Sequence, residues 1–308
     1  MHLFKSTNID FMGKRKIWYT ISVLILVVGL IGLFTKGIPF GIDFVGGTEL
    51  LVRFNSAPSI GDVRQTMETI GFRGSEIKTF GNEKDILINT IEQGEGSVVA
   101  EKIRSGLTTA FPNNPFQVLK EEKIGPKIGA ELRRNAVYAV FATLFIIMVY
   151  VGFRFKFIYG VAGIIAIAHD VLAALGVCAL VNGISPHLNL EVSQNLMAAF
   201  LTLIGFSIND TVIVFDRIRE NLKIHKTENL FTIMNKSINE TLSRTIITTG
   251  TVVLVLIVLF IFGGEVNRGF AFAFLIGTIF GTYSSIYVAS AIVLDWTMKK
   301  DAKKTAVK

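Results

Sequence analysis

The fold is decided by residues 133–156, RRNAVYAVFATLFIIMVYVGFRFK. Residues 135–153 are almost entirely apolar, and basic residues flank them on both sides, Arg133 and Arg134 before and Arg154 and Lys156 after. About 20 such residues in a helix cross the roughly 30 Å hydrocarbon core of a bilayer. The stretch is therefore predicted to span a membrane and, after a very short basic turn, to pair with the next apolar run as a hairpin.

Five further stretches meet the same criterion. The composition agrees, with a mean hydropathy of +0.53 and only 18% charged residues, where soluble proteins carry about a quarter. The first stretch is too long for a signal peptide and has no small-residue cleavage site, so we interpret it as a retained signal anchor. The spans of this membrane α-helical protein are predicted at 17–35, 135–153, 157–182, 192–215, 245–263 and 267–295.

The basic residues predict the orientation, because Lys and Arg in short connections stay on the cytoplasmic side. The connection 183–191 has no Lys or Arg. Both termini are therefore expected in the cytoplasm, with residues 36–133 outside it. This distribution assigns the net charge of +7 to membrane flanks and lipid rather than to nucleic acid. The basic segments are the N-terminal arm 1–16, the turn 154–156, the loop 216–244 and the tail 297–308.

The long segment 36–133 changes from apolar runs to alternating and amphipathic patterns, which are typical of a water-soluble domain. Its elements are predicted in the order β-α-β-β-α-β, the order of a small α+β ferredoxin-like sandwich. Ser59 is a plausible N-cap for the first helix, and Gly71 ends it. The strands are predicted at 48–54, 77–80, 85–90 and 116–125, and the helices at 59–71 and 97–111.

Ionisable groups inside spans are candidates for function, because each is costly unless it faces protein, water or a partner. Asp210 lies in span four, where its carboxylate could bind and release a proton, or could simply bond to a neighbouring helix. His169 and Asp170 lie near the middle of span three, and adjacent helical residues point about 100° apart. Arg244 opens span five and is either a charge partner for Asp210 or a membrane-surface anchor.

Smaller features are interpreted as structural. Gly277 and Gly281, in G-x-x-x-G spacing, offer a small face for helix packing. The 216–244 loop alternates charged and apolar residues at helical spacing, which indicates an amphipathic helix on the membrane surface. Cys178 is the one cysteine and excludes a disulfide within the chain or a cysteine-based metal site. No zinc-hydrolase, nucleophile-elbow or Walker motif is present, so the sequence predicts neither an enzyme nor a bound metal or cofactor.

Three stretches give the chain a family resemblance. They are GIDFVGGTEL (41–50), GFSINDTVIVFDRIREN (205–221) and NETLSRTIITTGT (239–251). The chain resembles the SecF subunits of the bacterial SecD/SecF accessory complex of the protein-export translocase, from about residue 8 to residue 296. The resemblance implies half of a resistance-nodulation-division type bundle in the bacterial cytoplasmic (inner) membrane. SecD would be the other six-span half, and a SecY-type channel and exported polypeptides would be further partners.

The resemblance also implies use of the proton-motive force in late steps of Sec-dependent export. It places Asp210 and Arg244 in the proton pathway and gives less direct support to Asp170 and His169. Two other classes stay open: a subunit of a proton-driven exporter of small molecules or lipids, and an assembly subunit without proton flow. The remaining signature residues, interpreted as structural or partner-facing, are Gly41, Asp43, Phe44, Gly46, Gly47, Thr48, Glu49, Asn209, Asp216, Arg217 and Arg219.

Overall fold

The chain begins with a membrane-length helix that leads into a small folded domain. The computed structural model describes residues 7–91, 98–184, 188 and 190–306. Helix α1 (Arg15–Lys36) is followed by the short helix α2 (Ile42–Val45). The α/β domain then comprises β1 (Gly47–Phe54), α3 (Ile60–Thr69), β2 (Glu76–Phe80), β3 (Asn82–Thr90), α4 (Val98–Ala110) and β4 (Phe116–Ile124).

The α/β domain has the predicted element order and a conventional core. Its antiparallel sheet has the strand order β2-β3-β1-β4, with Leu50 opposite Ile88 and Val52 opposite Ile86. Period-two alternation sends these side chains to one sheet face, where they pack against the apolar sides of the two helices. The largest fully buried side chains of this core are Phe54, Leu50, Met67, Ile86, Ile88, Ile103 and Leu107.

The rest of the chain forms the helical bundle. Six helical segments in the described part of the chain are long and apolar enough to cross a membrane, as predicted. The sixth is continuous but contains a π-helical turn at Ser285–Ser290. After α1, the bundle helices are α5 (Pro126–Arg154), α6 (Phe157–Val181), α7 (Gln194–Ile224), α8 (Leu230–Phe262), α9 (Gly264–Ser284) and α10 (Ala291–Ala306).

Small residues allow the bundle helices to approach closely. A Cβ added to Gly176 of α6 would lie 2.6 Å from the Cα of Gly29 on α1. The predicted packing role of the G-x-x-x-G pair is confirmed on α9, where a Cβ on Gly277 would lie 2.2 Å from Leu203 of α7. Without a strong hydrophobic driving force between helices in lipid, such close contacts hold spans together.

The structure departs most from the predicted boundaries at the end of the α/β domain and in the segment 216–244. Helix α5 begins at Pro126, so the α/β domain ends at 124 rather than at 133. The segment 216–244 is not a loop with a separate surface helix, because α7 continues to Ile224 and α8 starts at Leu230. The helical spacing of apolar residues in this segment belongs to α7 and α8, which continue beyond the predicted spans. Asn221 joins the two arms of this helical hairpin by donating to Ser237 Oγ at 3.0 Å.

The N-terminal arm packs against the helical hairpin. Met12 is fully buried and Phe11 nearly so. Asn235 of α8 accepts hydrogen bonds from both of their backbone N–H groups through Oδ1, at 2.9–3.0 Å. Asn239 likewise accepts from Ile9 N at 2.9 Å. The arm is therefore an ordered part of the bundle end that lies away from the α/β domain.

Candidate functional site

A buried carboxylate joins three spans at the centre of the bundle. Asp170 of α6 is completely buried. Its Oδ2 accepts hydrogen bonds from Ser207 Oγ of α7 at 2.6 Å and from Ser284 Oγ of α9 at 2.8 Å. Its Oδ1 lies 3.0 Å from Nδ1 of His169. Three partners offset the cost of placing a carboxylate in an apolar interior.

His169 extends this network to the first span. The sequence predicts that His169 and Asp170 point in different directions, and His169 does turn away towards α9 and α1. Its Nε2 lies 2.9 Å from the Tyr283 hydroxyl, which in turn accepts from Ser22 Oγ at 3.3 Å. The two neighbours nevertheless bond to each other, so they belong to one network rather than to separate faces.

The π-helical turn begins immediately after Ser284. Ser285, its first residue, places Oγ 3.0 Å from Thr211 Oγ1 of α7. Ser290 Oγ donates back to the carbonyl of Ser285 at 2.8 Å. Single π-helical turns inside longer helices are rare and frequently occur at functional sites. The sixth span therefore changes its helical winding at the level where it contacts the polar network.

Asp210 lies one turn beyond Ser207 on α7 in a different environment. It is 3% exposed, and within the described residues its carboxylate has one hydrogen bond, from Thr249 Oγ1 of α8 at 3.3 Å. Thr282 Oγ1 of α9 donates in turn to Thr249 Oγ1 at 3.4 Å. Asp170 is thus held by three partners, whereas Asp210 has a single long bond and keeps most of its capacity to accept.

Arg244 lies on the same helix as Thr249 and is exposed. Among the residues with described positions it forms no salt bridge with Asp210, although its charge acts on that carboxylate from a greater distance. Helices α7 and α8 are therefore neighbours, as expected, but Asp210 and Arg244 do not pair directly.

Exposed polar and small residues distinguish one face of the bundle. We call it the α7–α8 face and define it by Thr202, Gly205 and Asn209 of α7 with Arg244 and Thr251 of α8, all exposed. Between residues 137 and 153 the exposed side chains of α5 are instead apolar or aromatic. They include Phe141, Phe145 and Ile146. An apolar surface suits lipid, whereas exposed polar groups within a span require protein or water.

The signature residues 41–49 lie at the end of the bundle next to the α/β domain. Asp43 Oδ2 accepts from the backbone N of Gln194, the first residue of α7, at 2.8 Å. Phe44 is buried in the bundle core near the same helix. Thr48 is buried in β1, and Glu49 pairs with Lys120 at 2.9 Å.

Glycine is required at two signature positions. Gly46 has φ 83°, a conformation that L side chains rarely adopt. Gly47 has φ 153°, and a Cβ there would lie 2.4 Å from the carbonyl oxygen of Thr90. Gly41 uses its backbone, donating N–H to Val192 O at 3.1 Å.

The three charged residues after Asp210 lie at the opposite end of the bundle. Asp216 is 3.3 Å from Arg154. Arg217 bridges Glu220 at 2.7 Å and Glu240 at 2.6 Å, and Arg219 donates to the Arg154 carbonyl at 3.3 Å. These contacts brace the hairpin end and do not touch Asp210. Within the described residues no group of three or more His, Cys, Asp or Glu could hold a metal ion.

The comparisons with known proteins agree on one family. The model described as "Protein export membrane protein SecD/SecF, C-terminal" matches residues 105–299, and the "SecD/SecF GG Motif" model matches residues 31–58. A protein translocase subunit SecF of Rhodothermus marinus is 40% identical over 99% of this chain and 98% of its own length. The chain belongs to the SecF family. A second SecF, from Calditerrivibrio nitroreducens, is 42% identical over 93% of each chain.

Solved structures confirm the SecF fold. The crystal structure of SecDF from Thermus thermophilus, a translocon-associated membrane protein, matches with a TM-score of 0.83 at 37% identity over 94% of this chain. A SecDF in a super-membrane-facing form matches with a TM-score of 0.73 at 36% identity over the whole chain. This chain spans only 39% and 41% of those two proteins. As a SecF protein translocase subunit, it has a role in protein export.

Sequence reasoning missed the hydroxyl groups of the sixth span. Tyr283, Ser284 and Ser285 complete the polar network, yet they were not among the predicted site residues. The signal is the stretch YSSIYVAS at 283–290, which has five hydroxyls in eight residues of an otherwise apolar span. A hydroxyl can bond to its own helix at low cost, so only the fold shows which ones reach another helix.

Proposed function

We propose that Asp210 is the proton-binding group through which this SecF chain couples the proton-motive force to protein export. The observation that carries the proposal is its environment: a carboxylate inside a span, 3% exposed, with one 3.3 Å hydrogen bond. Intramembrane carboxylates commonly mark proton relays. Arg244 of α8 forms no salt bridge with Asp210 among the described residues, but its positive charge would favour the ionised carboxylate from a distance.

Asp170 and His169 serve a supporting role in this proposal. Three hydrogen bonds hold the Asp170 carboxylate in place, and removing it would leave its buried partners unsatisfied. The network from Ser22 through Tyr283 and His169 to Asp170 links α1, α6, α7 and α9. Gly281 lies against it, since a Cβ there would be 3.4 Å from Asp170 Oδ2. Protonation of Asp210 would change how α7 and α8 pack while this network holds the other helices together.

The α7–α8 face is where the proposal places SecD as the second six-span half. Asn209 is exposed there within span four and Arg244 at the start of span five, where lipid would leave their polar groups unpaired. Gly205 has nothing within 4 Å of an added Cβ, which leaves room for a partner helix to approach. The names of the matching SecDF structures support this pairing. The apolar α5 surface would face lipid.

The proposed orientation follows the basic residues. Both termini and the hairpin 216–244 would lie on the cytoplasmic side of the bacterial inner membrane, with the α/β domain extracytoplasmic. There the domain would act near a SecY-type channel on emerging polypeptides. The protein would be a proton-driven accessory subunit and not an enzyme.

The test is Asp210→Asn in the complex with SecD, reconstituted into vesicles. Asparagine keeps the size and polarity of the side chain but cannot exchange the proton. We expect the proton conductance of the complex to fall at least tenfold and gradient-dependent stimulation of export to disappear, with SecD still copurifying.

Thr249→Val provides the control, because it removes the hydrogen bond and retains the carboxylate. This variant should keep conductance with a displaced pH profile. Full export activity and conductance in Asp210→Asn would contradict the proposal and favour an assembly subunit without proton flow. If the complex conducts protons but SecY-dependent polypeptides do not affect that conductance, the result would favour an exporter of small molecules or lipids.

A further inference from the structure

The beginning of α7 is attached by main-chain contacts to residues 39–49, which we call the signature segment. Val192 N donates to Pro39 O at 2.6 Å, and Gly41 N donates to Val192 O at 3.1 Å. These bonds form a short parallel bridge between Phe40 and Val192. The bridge joins the segment that follows α1 to the residues that lead into α7. Helix α7 is the one that carries both Ser207 and Asp210.

Asp43 adds a side-chain bond at the first residue of the same helix. The first N–H groups of a helix have no partner within it and need caps. Ser193 accepts from Leu196 N at 3.3 Å, the usual local cap. Asp43, which is 151 positions away along the chain, accepts from Gln194 N at 2.8 Å. One of the two caps of the proton-carrying helix therefore belongs to the segment that starts the α/β domain.

The signature segment can transmit force because its backbone is fixed on both sides. A Cβ added to Gly129, in the first turn of α5, would lie 2.9 Å from Gly46 N. Gly47 backs directly onto Thr90 of β3 and begins β1. Because these backbone contacts are tight, Asp43 has little room to move independently of strand β1.

A second attachment lies across a cleft of about 600 Å³ between the sheet and the start of α7. Lys78 of β2 reaches Glu76 at 2.9 Å and Glu191 at 3.6 Å. Lys78 and Glu191 are each 14% exposed. Glu76 and Glu191 also share a hydrogen bond. The other charged groups lining the cleft are Asp43, Glu49, Lys120 and Glu122.

We infer that Asp43 is a positioning residue, and that its cap on α7, together with the Glu76–Lys78–Glu191 cluster, forms the joint that transmits movement of α7 to the α/β domain. The inference rests on the proposed role of Asp210. Rotation or tilt of α7 displaces Val192 and Gln194, and the signature segment carries that displacement into β1. The cluster keeps β2 aligned with the same helix end. The joint thus connects the proton site to the domain without passing through the other spans.

The test separates proton movement from domain movement in the reconstituted complex with SecD. Asp43→Ala removes the cap while Asp210 stays intact. We expect proton conductance within about twofold of the unaltered complex and stimulation of export reduced at least fivefold. Asp43→Asn retains an acceptor oxygen and should recover at least half of the stimulation. Asp62→Ala removes an exposed acid of the α/β domain far from the joint and should change neither quantity.

Domain movement is measured directly by energy transfer between dyes at Gln65→Cys and Asn267→Cys, one on the α/β domain and one on the bundle. Cys178 is buried and stays in place. A proton gradient should change the transfer in the unaltered joint but not in Asp43→Ala. Full export by Asp43→Ala would overturn the inference. So would loss of conductance and export together in an assembled complex, because Asp43 would then act on the proton path itself.

The outcome for the proposed function is separate. If Asp210→Asn conducts protons normally, the proposed function fails whatever Asp43→Ala does. If Asp210→Asn behaves as expected and Asp43→Ala still moves the domain in response to a gradient, only the joint fails. Glu191→Gln provides an independent variant should Asp43→Ala not assemble, since it alters the second attachment and leaves the cap. It should reduce the gradient-dependent change in energy transfer, and an unchanged response would contradict the joint.

Discussion

The α/β domain and the helical bundle both have apolar cores, but the bundle also encloses a polar network that joins several helices. The core of the domain is apolar. Its buried acid Asp85 accepts two hydrogen bonds from Arg53, each of 2.7 Å. The bundle exposes Phe141, Phe145 and many other apolar residues, and it encloses a polar network in addition to its apolar core. Water drives the first arrangement, whereas helices in lipid associate through close packing and hydrogen bonds. The buried polar residues of the bundle therefore help to hold its helices together and include the candidate functional groups.

Asp170→Ala should produce the largest effect, because it removes the centre of the bundle network. Ser207, Ser284 and His169 would be left buried without their shared acceptor. Each buried polar group left without its acceptor typically costs about 1–3 kcal/mol. We expect a matching fall in thermal stability of the protein in detergent. Asp216→Ala, which removes an exposed carboxylate 3.3 Å from Arg154, should cost less than about 1 kcal/mol. Equal losses in both variants would contradict the distinction.

Leu50→Ala should destabilise the α/β domain through an apolar cavity. Leu50 is fully buried on β1, and such truncations cost about 2–5 kcal/mol. Hydrogen exchange should rise in the strands while the protection of α6 and α7 stays unchanged. Leu119→Ala on β4, where the side chain is 41% exposed, is the control and should change little. Increased exchange throughout the bundle would show that the two regions unfold together.

Gly176→Ala should separate two helices of the bundle by a small, measurable amount. The added Cβ would lie 2.6 Å from Gly29 Cα, so α1 and α6 must move apart at a cost of about 1–3 kcal/mol. Gly152→Ala is a matched helical glycine with nothing within 4 Å of the new Cβ. It should be neutral, or stabilising by about 0.5–1 kcal/mol through reduced backbone freedom. Thermal unfolding of the two variants side by side is the measurement, and equal midpoints would refute the close contact.

The sequence predicts local and compositional features well and long-range partners poorly. Spans follow from apolar length, and the domain's element order follows from alternation and from caps such as Ser59, whose Oγ accepts from Asp62 N. Asp210 and Asp170 stand out because a charge in a span is costly. The bonds from Ser284 to Asp170 and from Gln194 to Asp43 join residues 114 and 151 positions apart. Local periodicity does not reveal such distant pairs. A hydroxyl in a helix can also bond to a backbone carbonyl of the preceding turn, so its presence alone does not identify a partner on another helix.

The pH dependence of docking, by which we mean contact of the α/β domain with the bundle, should be the smallest of these effects. It tests the contact between Glu76 and Glu191, where the two regions meet. Burial, with the hydrogen bond to Glu76, raises the pKa of Glu191 to about 8. Burial also acts to raise the pKa of Glu76, but hydrogen bonds from Glu191, Lys78 and Asn89 hold it below its usual range. The docked pair therefore keeps one proton at neutral pH, whereas two separated glutamates, with an ordinary pKa of 4.5, are almost fully ionised there.

The sign of the pH effect follows from this difference in bound protons. Between about pH 4.5 and pH 8 the docked state binds one proton more than the separated state, so docking weakens as the pH rises, by at most about tenfold per pH unit, and levels off above about pH 8. Below about 4.5 the separated carboxyls take up more protons than the docked pair, so docking weakens again. Energy transfer between Gln65→Cys and Asn267→Cys across pH 6 to 9 should fall as the pH rises. Glu191→Gln, whose amide can donate to Glu76 at every pH, should flatten that dependence, whereas Glu68→Gln on the exposed side of α3 should leave it intact. A flat response in the unaltered protein would show that the Glu76–Glu191 proton does not hold the domain against the bundle.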